Sequence, residues 1–425
     1  MRPMRPVKPI PEMYVRRIVD DEIDRLVRGG SAAIAIEGAK AVGKTATGLQ
    51  RVRIAYLLEQ SVTRQLLQAD PSRINSGEPV LIDEWQHLPE TWDVVRRVVD
   101  AGAVPGQFFL TGSASALHPG THSGAGRIVS VRMRPMSLYE RGVGAPTVSL
   151  EALLEGTRHS VRGETDIKLE HYVSEMFASG FPAIRRLSES VRRAHLDGYI
   201  QRIIDRDFPD TMGRRVRNPG ALRRWITAYA AATSTVTSYE RIRDAATSGE
   251  GNKPSKTTTQ PYRDTLEALY VLDPLLAWSP TRNRIAELAS APKHHLVDTA
   301  LVTTLLGLDI ERVLADGSHL GQLFESLVLM CVRPYAQAAE ATVRHLRTHG
   351  GEHEIDMIIQ RRDGKVVALE TKLSASVSDT DVKHLLWLRK QLGERLIDAV
   401  VVNTGVHAYR RTDGIAVIPA ALLGP

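Results

Sequence analysis

Hydrophobic positions along the chain change their spacing twice. In residues 1–145, short apolar runs at 32–37, 79–83 and 107–110 read as buried parallel strands, and helical spacing fills 44–58 and 91–101. Strands alternating with helices predict an α/β domain on a parallel sheet. Residues 146–290 are mainly helical in pattern: 197–208 and 221–232 carry apolar residues every three or four positions, with arginines between. A polar stretch at 245–260, with Gly249, Gly251 and Pro254, reads as a loop or flexible wing before helical spacing resumes at 262–272. From 291 onward a helix near 320–332 gives way to strands. Those at 354–360 and 365–373 flank Asp363-Gly364, a hairpin signal, and two more follow at 399–403 and 415–418. The expected division is into domains 1–145, 146–290 and 291–425.

Composition narrows the class. Of 425 residues, 43% are hydrophobic and 24% charged, which excludes a mostly disordered or fibrous chain. The single cysteine, Cys331, rules out an intramolecular disulfide and any cysteine-based zinc cluster. The formal charge of +6 says little as a total, because arginine strongly outnumbers lysine. Its placement says more: residues 181–250 hold 13 Arg against 8 acidic residues, while 321–425 are nearly balanced. A nucleic-acid footprint would therefore lie in the middle block. Residues 1–11 lack an apolar signal core, and no run approaches 18 apolar residues, so the expectation is a cytoplasmic protein with no membrane partner. His118 with His122 and the pair His294-His295 have spacings that could touch a metal. No cysteine or acid completes either set, so they read as structural.

The most specific chemistry sits early. Gly38-Ala39-Lys40-Ala41-Val42-Gly43-Lys44-Thr45 follows an apolar strand and opens a helix, and it fits the phosphate-binding pattern G-x-x-x-x-G-K-[ST] throughout. The glycines let successive N–H groups face phosphate oxygens, Lys44 would reach the β- and γ-phosphates, and Thr45 would bind Mg²⁺. The following helix adds its positive end. Pro79-Val80-Leu81-Ile82-Asp83-Glu84 is a second apolar strand ending in two acids. Asp83 there would hold Mg²⁺ and Glu84 would position the attacking water, although paired acids at a strand end also cap helices. A third strand leads into Thr111-Gly112-Ser113, where a hydroxyl, Thr111 first and Ser113 second, would sense the γ-phosphate; a plain Ser/Gly turn is the other reading.

These motifs recur in a recognisable order: the phosphate loop, Leu81–Gln86 reading Leu-Ile-Asp-Glu-x-Gln, Phe109–Ser113 reading Phe-Leu-Thr-Gly-Ser, Gly126-Arg127-Ile128, and Arg-Pro-Met-Ser-Leu-Tyr-Glu ending at Glu140. Together with Gly180-Phe181-Pro182 and Gly321-Gln322-Leu323-Phe324-Glu325, the chain resembles the prokaryotic AAA-type ATPases with a C-terminal domain of unknown function, DUF4143. The resemblance implies an AAA+ core that uses ATP and Mg²⁺. It makes Arg127 a candidate arginine finger acting on a neighbouring subunit, hence a homo-oligomer; a local carboxylate pair is the other reading of Arg127. Gly48 departs from the family's usual P-loop helix and weakens it slightly.

The resemblance also implies a winged-helix-like middle region. Lys253, Lys256 and Arg263 would then touch DNA phosphates within a contact region at 181–270 extended by the C-terminal domain. Winged helices also bind proteins, so the partner stays open. In the last block, Asp356, then Glu370-x-Lys372, with Glu325 on the preceding helix, resembles a PD-(D/E)xK nuclease-like fold. That likeness implies that Asp356 and Glu370 bind Mg²⁺ and that Lys372 orients water; an amphipathic hairpin with a surface Glu–Lys pair is the alternative. The leading expectation is a Mg-ATP-dependent ATPase whose nucleotide state controls C-terminal modules acting on DNA. An ATP-gated adaptor with little turnover and an ATP-dependent Mg²⁺ nuclease are the alternatives.

Overall fold

A computed structural model describes residues 14–425 apart from 114–123, 157–159, 214–215, 217, 248–254 and 281–289. His118, His122, Lys253 and the glycines of the expected wing therefore lie outside the described residues. The chain divides into two compact units, one comprising 1–134 with 268–270 and the other the remainder.

The first unit is an α/β layer built on five parallel strands: β1 (Ala33–Glu37), β2 (Ile54–Leu57), β3 (Val80–Asp83), β4 (Phe108–Gly112) and β5 (Ile128–Arg132). Their order is β2-β3-β4-β1-β5. Strands β3 and β4 are buried along their whole length, as parallel strands covered on both faces must be. Helices α1 (Ile18–Arg28), α2 (Lys44–Leu49), α3 (Ser61–Ala69) and α4 (Glu90–Asp100) connect and cover them. One side of the sheet closes over Ala33, Ala35, Val80, Ile82, Phe108 and Leu110, with Trp85 and Trp92 tilted together at 4.5 Å.

The helix expected over 44–58 is only six residues long, and after a short turn β2 takes Ile54–Leu57. Two features of the chain explain this. Gly48 lies so close to the sheet that a Cβ there would sit 2.7 Å from Leu81 Cδ1, so the helix must run hard against β3. Beyond it, Ile54 to Leu57 find a ready ladder along Val80 to Asp83, in register. The strand expected at 107–110 instead extends to Gly112, which puts Thr111 inside a strand and not in a turn.

The second unit joins helices to a mixed sheet. The short strands β6 (Val148–Ser149) and β7 (Gly163–Glu164) flank the helix Leu150–Glu155 and precede most of the other helices; β8 (Thr342–Arg347), β9 (Glu354–Gln360), β10 (Val366–Lys372), β11 (Leu396–Asn403), β12 (His407–Arg410), β13 (Ala416–Pro419) and β14 (Leu423–Gly424) come later in the chain. Seven strands form one sheet in the order β7-β12-β13-β11-β10-β9-β8, and β14 pairs with β6. The β9–β10 hairpin forms as its sequence predicts, turning at Gly364 with φ +84°. A parallel crossover through the helix Asp379–Leu392 links β10 to β11. Val382, Leu385 and Leu388 bury the apolar stripe of that helix against Ile358, Ala368 and Val401. The long helix Gly317–Ala338 is buried over most of its turns.

Two helical expectations shift. The segment expected at 197–208 belongs to a longer run that starts at Glu189 and widens into a π turn over Ile203–Asp207. Pro209 lacks the N–H that would continue the α ladder there, which accounts for the widening. The helix expected at 262–272 starts earlier, at Lys256, where the Ser255 carbonyl accepts from Thr258 N, and it ends at Ala268 just before Tyr270 turns at φ +58°. The polar stretch is correspondingly shorter than 245–260. Among the described residues, no helix is long and apolar enough to cross a membrane.

Candidate functional site

Strand β1 delivers the chain to Gly38, where φ is +153° and a Cβ would stand 2.1 Å from the Met133 carbonyl. Only glycine fits so close an approach. Gly43, at φ +106°, then reverses the chain into α2, and Ala41 adopts the left-handed region as well, at φ +66°. The loop is anchored from α1's side. Arg17, 4% exposed, donates through Nη1 to the Val42 carbonyl and through Nη2 to that of Arg134, both at 2.8 Å. Tyr14 OH meets Thr47 Oγ1 at 2.9 Å and donates to Asp20 at 2.6 Å, so the segment before α1 braces the P-loop helix.

Lys44 is buried at the head of α2, and its Nζ donates to the Gly38 and Ala39 carbonyls at 3.0 Å each. Burial pushes its ammonium below the usual lysine range, while the nearby Glu84 and Asp83 charges oppose that. Strand β4 separates the P-loop strand β1 from the acid-bearing strand β3. Through this arrangement two hydroxyls converge on one oxygen. Thr45 Oγ1 and Thr111 Oγ1 each donate to Asp83 Oδ1 at 2.6 Å. Burial raises the Asp83 carboxyl above its ordinary value despite both hydrogen bonds.

The next residue, Glu84, sits at φ +53° and points its carboxylate elsewhere. Its Oε2 accepts from Ser113 Oγ at 2.8 Å, from Ser113 N at 3.3 Å and from Gln86 Nε2, while its own N–H donates to Thr111 Oγ1 at 3.1 Å. Thr111 thus ties together the two acids, and Ser113 holds the second; both hydroxyls named from sequence are in the site. Lys40 lies in the same loop. Arg127 stands apart from it, half-exposed, with Nε donating to Asp100 Oδ1 at 2.8 Å, the local pair anticipated as its other reading.

Thr45 and Asp83 offer only oxygen donors, one hydroxyl and one carboxylate 2.6 Å apart, which suits Mg²⁺ completed by phosphate and water oxygens. Among the described residues no group of three or more His, Cys, Asp or Glu side chains could hold a metal by itself. The buried His294 and His295 belong to no such group; His294 Nε2 meets the Thr237 carbonyl and His295 Nδ1 meets Ser326 Oγ.

Of the C-terminal candidates, Glu325 and Asp356 meet around Lys293, joined there by Glu354, while Glu370 and Lys372 pair with each other beside them. Lys293, 1% exposed, places Nζ 3.0 Å from Glu325 Oε1, 3.0 Å from Glu354 Oε1 and 3.0 Å from Asp356 Oδ1. Asp356 Oδ2 accepts from Thr371 N and Oγ1 at 2.9 and 2.8 Å. Glu370 is buried, its Oε2 lies 3.4 Å from Lys372 Nζ, and its Oε1 has no hydrogen-bond partner. Burial pushes the Glu325 carboxyl up to about 8 and that of Glu370 well above its ordinary value. Burial also acts against the charge of Asp356, but Lys293 and the Thr371 donors outweigh it and hold that carboxyl low. Nothing in the local sequence announces this role for Lys293: its neighbours at 291–297 include His294 and His295, and the three acids it meets lie 32 to 63 residues further along the chain.

In the middle block, Arg263 donates to Asp264 and lies 5.0 Å from the Tyr239 ring centre, so its charge is engaged within the chain. It lines, with Lys256, Trp225 and Arg243, a cleft of about 280 Å³.

Three domain families match the chain: an AAA domain over residues 30–141, the domain of unknown function DUF8612 over 169–312, and DUF4143 over 320–423. Uncharacterized proteins of Mycobacterium tuberculosis and Mycobacterium bovis are each 24% identical over 395 residues, covering 91% of this chain and 80% of the relative. Among solved structures, the Walker-type ATPase PABY2304 of Pyrococcus abyssi aligns with 15% identity and a TM-score of 0.38, over 70% of this chain and 97% of that one. With an AAA domain matched near its start and a DUF4143 domain matched at its end, the chain has the domain pairing of the AAA-type P-loop ATPases that carry a C-terminal DUF4143 domain.

Proposed function

We propose that the protein binds Mg-ATP at the P-loop and hydrolyses it. The observation that carries this is the convergence of Thr45 and Thr111 on Asp83 Oδ1, with Lys44 and Glu84 beside it. The loop amides and Lys44 would bind the phosphates, releasing the Lys44 ammonium from the Gly38 and Ala39 carbonyls it now holds. Thr45 and Asp83 would hold Mg²⁺, which supplies charge neutralisation at the β- and γ-phosphates. Glu84 would take the proton of the attacking water, and Thr111 would register the γ-phosphate through the bond it makes to the Glu84 backbone.

On this reading the nucleotide state controls the modules beyond the ATPase, which we divide at 1–145, 146–290 and 291–425. DNA is the partner we assign to the middle module, on the arginine excess of 181–250; with Arg263 already paired, that contact would fall to other residues. Arg127 would serve a neighbouring subunit once released from Asp100; that exposed pair costs little to break. ATP binding and turnover, measured with and without duplex DNA, test the reading. Lys44→Ala should abolish ATP binding, and Glu84→Gln should bind ATP yet hydrolyse it slowly. Turnover by Glu84→Gln at the wild-type rate sinks the assignment of Glu84.

A further inference from the structure

We propose that the Lys293 ammonium is the resident cation of the acidic cluster in the C-terminal sheet, so that this nuclease-like arrangement takes no divalent metal and does not cut phosphodiesters. The inference concerns the second unit alone and is independent of the ATPase reading.

Three observations support it. The first is stoichiometric: an ammonium has three donors, and Glu325, Glu354 and Asp356 supply one acceptor each at 3.0 Å. A divalent ion held by the same oxygens at about 2.0–2.6 Å would have to occupy the space that Nζ fills. The second is anchorage. The Lys293 backbone exchanges both of its hydrogen bonds with Leu275 at 2.9 Å, and the residue is 1% exposed, so the ammonium is held inside the fold. The third is the state of the remaining ligands. The second oxygen of Asp356 is already saturated by the two donors of Thr371, and Lys372 rests against Glu370 and not in the cluster's centre.

The arrangement therefore swaps a removable ion for a covalently attached one. What a metal would do for folding, neutralising buried carboxylates from the long helix and from β9, Lys293 does permanently. What a metal would do for chemistry, polarising a phosphate and generating hydroxide, an ammonium locked by three carboxylates does not do. The domain is left as a binding or structural module.

Mn²⁺ is the probe. Full-length wild-type protein, its Asp356→Asn variant and Lys293→Ala are titrated with Mn²⁺ without nucleotide, with free ion followed by electron paramagnetic resonance. The P-loop contribution is common to all of them and insensitive to Asp356. Wild type and Asp356→Asn should bind Mn²⁺ alike, and wild type should cut neither single- nor double-stranded DNA with Mg²⁺ or Mn²⁺. Lys293→Ala should acquire a site about tenfold or more tighter than any in wild type, since the oxygens of Glu325, Glu354 and Asp356 are freed for a metal that displaces the Glu325 proton, and adding Asp356→Asn should remove it. A wild-type site lost on Asp356→Asn overturns the proposal, as does DNA cutting lost on Glu370→Ala. A folded Lys293→Ala that gains no site overturns it as well; if that variant does not fold, the wild-type arms decide.

Discussion

Thr45 Oγ1 donates to Asp83 Oδ1 at 2.6 Å across 38 residues of sequence, and the strand order makes this possible. Strand β4 lies between the strands that carry the two motifs and contributes Thr111 to the same oxygen. The amide of Asp83→Asn keeps the shape, yet it removes the charge that a metal-bound water or Mg²⁺ itself would meet. Hydrolysis should fall about 100-fold, a size typical for removing a partner of a metal site. Nucleotide binding in EDTA should not change. An equal loss of binding with and without Mg²⁺, by fluorescent-nucleotide titration, would show that Asp83 acts on the fold and not on the metal.

Ser113 holds Glu84 by both its hydroxyl and its N–H. Ser113→Ala removes the shorter bond and leaves the carboxylate to Gln86 and the backbone. Since Glu84 is assigned to the attacking water, kcat should fall about tenfold while KM for ATP stays as in wild type. A Ser113→Ala enzyme with altered KM and unaltered kcat would place Ser113 at the nucleotide instead.

How far the sequence led depended on the range of the interactions. The P-loop was legible because eight consecutive residues encode it, and Asp83-Glu84 because an apolar strand announces its end. The β9–β10 hairpin was legible through Asp363-Gly364. The length of α2 was not: helical spacing continues past Leu49, and only the close packing of Gly48 on Leu81 and the pairing of Ile54 with Val80 end the helix. Lys293 was hidden for the same reason. Its three carboxylates come from residues 32 to 63 positions away on other elements, and local pattern carries no trace of that meeting. His294 and His295 are of a metal-ligating type yet bond only within the fold, while the residue before them makes the ion pairs.

Arg17 grips the loop from behind, through the Val42 carbonyl. Its removal frees a segment whose amides must all face one phosphate group at once, so the cost should appear as lost nucleotide affinity. Arg17→Met, which keeps much of the packing, should weaken ATP binding about tenfold, in line with about 1–3 kcal/mol for a buried polar group left without its partner. Arg17→Lys should recover part of that by reaching one of the two carbonyls. Unchanged ATP affinity in Arg17→Met, measured by calorimetry on a protein of native circular dichroism, would limit Arg17 to tying α1 to Arg134.

His345, 1% exposed, has Nε2 3.1 Å from the Ala291 carbonyl and an unpartnered Nδ1. Burial, with the Lys293 charge adding to it, pushes its imidazolium down to about 4, although Glu354 and the Ala291 carbonyl pull the other way. The folded protein therefore resists a proton that the unfolded chain accepts near 6.5. Stability from this group is complete above that value and is lost as pH falls from 6.5 toward 4, by about 3 kcal/mol in all. Glu325 acts in the opposite sense between about 4.5 and 8, because its folded form keeps a proton that the unfolded chain releases. The measurement is accordingly a difference: urea unfolding of wild type and His345→Gln at pH 7.5 and at pH 5. Glu325 contributes equally to both proteins and cancels. Wild type should lose more stability than His345→Gln on moving to pH 5, and parallel losses would mean that His345 titrates in the folded protein as it does in the unfolded chain.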